Sequence, residues 1–195
     1  MKKILLPILM ASGLMSARAA TFEYAATLSG PNESPANASP GTGSALVDYD
    51  NVAHSLHVQV SFSGLLGTTT ASHIHAATVL PGTGTAGVAT TTPTFAGFPL
   101  GVTSGSYNIL LDLTLASSFN GAYITANGNT TAGAEAALAA ALAGGQSYLN
   151  IHTSSFGGGE IRGFLTLVPE PSSLALVGLG LAAVAARSAR QKRGV

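Results

Sequence analysis

Residues 148–167, YLNIHTSSFGGGEIRGFLTL, carry most of the side chains able to do chemistry. They include His152, Glu160 and Arg162, and Arg162 is the only base between Thr21 and Val168. A lone arginine in a lysine-free stretch is not there for solubility. Its planar guanidinium suits a bidentate pair with a carboxylate, and Glu160 and Asp112 are the candidates. The same two charges, Glu160 and Arg162, can instead serve only to orient a hairpin. The second chemical group is His73-Ile74-His75. Residues two apart on a strand share a face, so both imidazoles project to one side and Ile74 to the other. The fold is expected to bring this segment and His152 into one sheet system.

Other chemistries have little to stand on. The chain has no cysteine, which excludes disulfides and thiolate metal sites. No serine–histidine–acid order and no paired catalytic carboxylates stand out, so no catalytic residue is assigned and an enzyme is not expected. Residues 82–87 spell G-x-G-x-x-G, but no helix opens after them and no βαβ unit surrounds them. They read as a flexible glycine turn rather than a dinucleotide site. Only 8% of the chain is charged. Between Thr21 and Val168 one arginine stands against seven carboxylates, so nothing is available to neutralise phosphates, and a nucleic-acid partner is excluded.

The elements that must position these residues are strands. The stretch 21–168 is rich in Gly, Thr, Ser, Ala and Val, which favours an all-β domain, and it is long enough for one core. A first strand covers 22–28 and a Pro-rich loop 29–43. Residues 44–48 and 54–62 form a hairpin around Asp50-Asn51. In its second strand Leu56, Val58, Val60 and Phe62 face inward, while His57, Gln59 and Ser61 face water. His54 lies at the strand start, within reach of solvent. Residues 70–79 carry the two-histidine segment. Residues 106–115 form a strand with Ile109, Leu111, Leu113 and Leu115 facing in.

One helix is predicted over 131–143. Thr130 or Thr131 caps it, Glu135 lies in its first turn, Leu138 and Leu142 face the sheet, and Gly144-Gly145 ends it. In the final pair of strands Leu149 and Ile151 share one face, and Tyr148, Asn150 and His152 the other. Ile161, Leu165 and Leu167 point to the core, Glu160 and Arg162 away from it, and 157–159 supply the turn.

The two ends read as addresses. Residues 1–20 have a basic start, an apolar centre and a small-x-small pattern, so signal peptidase is expected to cut near Ala19 or Ala20. Residues 169–195 combine Pro169-Glu170-Pro171, a short apolar run over 174–186 and a terminal arginine cluster. This order resembles a PEP-CTERM sorting tail. The resemblance implies a transient transmembrane helix, recognition and removal by an exosortase-type sorting enzyme, and a Gram-negative bacterium that exports the protein to its surface or beyond.

The motifs His73-Ile74-His75, Tyr148-x-Asn150-Ile151-His152-Thr153 and Gly159-Glu160-Ile161-Arg162-Gly163 resemble those of a chordin-type (CHRD) domain. The resemblance spans residues 22–167 and implies an extracellular antiparallel β-sandwich. The H-x-H strand is also similar to that of copper/zinc superoxide dismutases, whose sandwich uses such a pair for copper. Together these imply a Greek-key-like sandwich, superoxide-dismutase-like or immunoglobulin-like, with one short helix and hydrophobic helices at the termini.

Two functional readings follow. One is an exported binding or structural protein whose partners include exopolysaccharide or a matrix protein. The other is a copper or zinc metalloprotein that uses His73, His75 and His152, since imidazole suits both metals. In that second reading dismutase activity is not expected, because the chain lacks a cysteine pair and an obvious zinc-loop histidine/aspartate set. The alternative for the three histidines is cross-strand hydrogen bonding as core or rim residues.

Overall fold

The computed structural model of the chain describes residues 21–169. The expected signal peptide with Ala19 and Ala20, the tail from Glu170 and Pro171 onward, and both terminal hydrophobic helices lie outside the described residues.

Alternation drives the fold. β1 (Thr21–Ser29), β2 (Thr42–Asp50) and β3 (Ser55–Ser63) form an antiparallel meander with unbroken register, from Thr21 opposite Asp50 to Thr42 opposite Ser63. In β3, Leu56, Val58, Val60 and Phe62 are buried, as their period of two predicts. Full burial of each such side chain contributes about 1.5–3 kcal/mol. β5 (Gly105–Asp112) pairs with β3. On the other side of the meander come β7 (Ile161–Phe164), β6 (Tyr148–Thr153) and β4 (Thr69–His75). The order is β4-β6-β7-β1-β2-β3-β5, with the short β8 (Thr166–Leu167) pairing β1. The antiparallel sheet curls into a half-barrel, an all-β sandwich-like fold.

The outer edge of β4 is not left bare. Residues 87–95 run along it in an irregular ladder: Gly87 accepts from Ala76 N, Ala89 N donates to Ile74 O, and Phe95 N donates to Ser72 O. Thr90 and Thr94 hydroxyls accept from Ile74 N and Ser72 N. An edge covered in this way offers no template for another strand.

α2 (Thr131–Ala143) occupies the predicted range, and the Thr130 hydroxyl accepts from Gly133 N at its start. Leu138 and Leu142 are buried as expected. Glu135 departs from expectation. It lies beyond the first turn, buried, where it accepts from Tyr49 Oη at 3.0 Å and pairs with His54 Nδ1 at 2.9 Å. A second helix, α1 (Gly121–Ala126), was not predicted. It is capped by the Asn120 side chain on Ala122 N.

Two apolar residues also sit differently. β5 ends at Asp112, whose Oδ1 accepts from Thr114 N and Oγ1 and turns the chain, so Leu115 is 52% exposed. Leu167 lies in two-residue β8 and is 53% exposed.

Candidate metal centre

The histidines meet because of strand register. In the β4–β6 ladder His73 is opposite Asn150, His75 is opposite Tyr148, and Ala71 is opposite His152. His73, His75, Tyr148, Asn150 and His152 therefore share one face, with Asn150 in the middle. Ring centroids are 5.7 Å apart for His73 and His75, 5.2 Å for His73 and His152, and 6.2 Å for His75 and His152. One ring nitrogen from each lies within 4.8 Å of those of the other two.

One nitrogen of each ring donates to a backbone carbonyl. His73 Nε2 donates to Pro93 O at 2.6 Å, His75 Nδ1 to Ala86 O at 2.9 Å, and His152 Nδ1 to Gly157 O at 2.9 Å. A carbonyl only accepts, so each bond fixes a tautomer. The lone pairs then fall on His73 Nδ1, His75 Nε2 and His152 Nε2. All three atoms are buried without a well-formed hydrogen bond, although the Asn150 side chain lies close enough to His75 to raise its imidazole. Leaving a buried polar atom unsatisfied costs about 1–3 kcal/mol.

Burial pushes the His73 imidazole down to about 4, helped by the neighbouring His152 and His75 and opposed by the Pro93 carbonyl. His75 is lowered by burial, against the Ala86 carbonyl and the Asn150 side chain and with help from His152 and Arg162. His152 is lowered by burial against the Gly157 carbonyl. The triad is neutral at pH 7, which is the ligating form.

Around the triad, Glu160 and Arg162 do not pair with each other. Glu160 is fully buried and accepts four hydrogen bonds: from Ser39 Oγ (2.6 Å), Leu66 N (2.6 Å), Gly67 N (3.1 Å) and Thr153 Oγ1 (2.6 Å). Burial raises its carboxyl, but these four donors outweigh that and hold it below the usual value. It anchors the 65–67 corner and the end of β6. Asp112 is exposed at the far end of β5. The expected bidentate pair with Glu160 or Asp112 is thus replaced. Arg162 Nε donates to Asn32 O, Nη1 donates to Gly84 O at 3.0 Å, and the nearest carboxylate is Glu33, 3.7 Å from Nε.

The glycines of the motif are set by close approach. A Cβ on Gly163 would collide with the Thr27 carbonyl of β1. Gly159 has φ +129° and borders both Glu33 Oε1 and the Asn150 amide.

A CHRD domain profile matches residues 24–165. The chain belongs to the CHRD domain family. A PEP-CTERM protein-sorting motif matches residues 167–191. Neither the curated proteins nor the solved structures compared with the chain contain a match. The CHRD domain is followed by the tail of an exosortase-sorted, exported protein of Gram-negative bacteria, transiently anchored in the membrane. Among the described residues no helix is long and apolar enough to cross a membrane.

The other two histidines of the CHRD domain take no part in the triad. His57 faces Asp48 and Asn108, and His54 is tied to Glu135. Sequence reasoning missed Glu33, which lies in the Pro-rich loop, and the roles of the Ala86, Pro93 and Gly157 carbonyls. Backbone carbonyls carry no signal in residue type. Glu33 had one, as a rare acid in a domain with a single arginine.

Proposed function

We propose that this CHRD domain binds a copper or zinc ion through His73, His75 and His152, and that the sorting tail delivers the site to the cell surface or the surrounding medium. One observation carries the reading: three histidine rings each bring a nitrogen within 4.8 Å of the other two, and in each ring one buried nitrogen has no hydrogen bond while the other is held by a carbonyl. That second arrangement is how metal-bound histidines are oriented.

The chemistry of the donors narrows the ion. Neutral imidazoles without thiolate or carboxylate favour copper and zinc over magnesium or calcium. Metal–nitrogen bonds of about 2.0 Å require ligand nitrogens roughly 3.3 Å apart in a tetrahedral set. The nitrogens, within 4.8 Å of one another, must draw together to reach it. The role is capture or presentation of the ion, and no reaction is assigned to it.

The test is elemental analysis with copper and zinc titration of the mature protein, purified without a histidine tag, beside His75→Ala. One equivalent bound by the wild type and lost in the variant supports the proposal. Absence of stoichiometric binding in the wild type, with unfolding unaffected by added metal or chelator, overturns it.

A further inference from the structure

Arg162 is only 4% exposed. Taking a guanidinium out of water costs several kcal/mol unless its surroundings compensate. Its contacts lead toward the histidines. Nη1 holds the Gly84 carbonyl at 3.0 Å. The guanidinium carbon stands 4.7 Å from the centre of the Tyr148 ring, within cation–π range.

Tyr148 in turn lies face to face with His75, centroids 4.8 Å apart and planes 5° from parallel. Its hydroxyl is 3.3 Å from Ala86 N and 3.4 Å from Ala86 O. Ala86 O is the acceptor that fixes the proton of His75 on Nδ1. Two constraints on His75, the carbonyl that sets its tautomer and the ring that sets its plane, therefore pass through Tyr148 and Arg162, beside the neighbouring Asn150 side chain.

The loop that carries Ala86 has little rigidity of its own. Gly82 and Gly84 have φ of +68° and +81°, and a Cβ at Gly82, Gly84 or Gly87 would touch nothing. Gly82 N is tied to Gly145 O, and Gly87 O to Ala76 N. Between those two ties the loop is fastened by Arg162 at Gly84 and by Tyr148 at Ala86.

We propose that Arg162 and Tyr148 are positioning residues of the metal centre: they hold the Ala86 carbonyl where it keeps Nε2 of His75 as the ion-facing lone pair. This rests on the metal-binding reading, but its core, the state of the His75 ring, is observable without metal.

The test uses the mature protein with Arg162→Gln, Arg162→Lys and Tyr148→Phe. Imidazole nitrogen NMR of the metal-free protein reads the tautomer of each histidine, and competition titration reads zinc affinity. In the wild type His75 is protonated on Nδ1 alone. In Arg162→Gln and Tyr148→Phe the His75 signals shift toward a tautomer mixture, while those of His73 and His152 hold. Zinc affinity falls about 10–100-fold, the range for partners that orient a ligand. Arg162→Lys keeps the charge but cannot reach Gly84 and Asn32 together, so it does not restore the wild-type pattern.

A purely structural role predicts lower thermal stability with His75 signals and zinc affinity unchanged, and that result overturns the proposal. Tyr148→Phe keeps the stacked ring and decides the matter if the arginine variants fail to fold. If the wild type binds no zinc or copper, the metal reading fails by itself, and the NMR comparison still decides whether these residues set His75.

Discussion

Glu33 Oε2 stands 3.7 Å from Arg162 Nε, and both side chains are about 5% exposed. The pair is not a tight ion pair, since Nε spends its hydrogen on the Asn32 carbonyl. Burial raises the Glu33 carboxyl to about 7, despite Arg162 and the Ser34 amide, which both lower it. Glu33 Oε1 has no partner. A carboxyl raised in the folded state stabilises the fold fully below its ordinary value near 4.5, and that stabilisation is lost as pH rises through 7. Glu33→Gln removes the loss. Thermal unfolding from pH 5 to pH 8 should show the variant gaining on the wild type as pH rises, by on the order of 2 kcal/mol at pH 8. A gap between the two that is constant with pH would show that Glu33 is already ionised in the fold at pH 5.

The three histidines carry the opposite dependence. Their folded values are lowered, by burial first, with His73 at about 4. Their stabilisation is present above the ordinary histidine value near 6.5 and is lost as pH falls from there through each lowered value, about 4 for His73, because the unfolded chain takes up protons that the fold refuses. Metal-free protein should therefore lose stability steeply between pH 6.5 and 4. Metal binding above pH 7 displaces few imidazolium protons, so affinity should be nearly flat from pH 7 to 8 and fall only as the pH drops to the lowered histidine values. Competition titration at pH 6, 7 and 8 checks this. A tenfold loss per pH unit below 7 would mean that the rings are protonated before binding.

The sequence was most readable where one periodicity governs a whole element. The face of β3 with Leu56 to Phe62 and the span of α2 from Thr131 to Ala143 follow from spacing and capping alone. The convergence of His152 on His73 and His75 was legible as two segments of one sheet system, and the register of His73 on Asn150 supplies the detail. The partner of Arg162 was not legible. A guanidinium has five donors and can donate to any oxygen within reach. Two of its oxygens belong to Asn32 and Gly84, far away in sequence and invisible in residue type. Leu115 and Leu167 failed for a related reason. Alternation continues on paper past the point where Asp112 turns the chain, or where β8 runs out after two residues.

Glu160 sharpens the distinction between holding the site and forming it. All four of its partners are donors: two hydroxyls and two backbone amides. Glu160→Gln keeps the shape but turns an amide group toward some of those donors, so acceptor sites are lost with no possible rotation that restores them. Breaking hydrogen bonds to a buried charge in this way costs about 3 kcal/mol or more. For a domain of this size that lowers Tm by roughly 6–12 °C. The 65–67 corner, which depends on the two amide bonds, should lose hydrogen-exchange protection at Leu66 and Gly67 first. Zinc affinity in the folded variant should change little, because none of the hydrogen bonds of this carboxylate goes to a ring of the triad. Hydrogen exchange with mass analysis, run beside the titration, separates the two effects. Unchanged protection at Leu66 and Gly67 would remove Glu160 from its anchoring role.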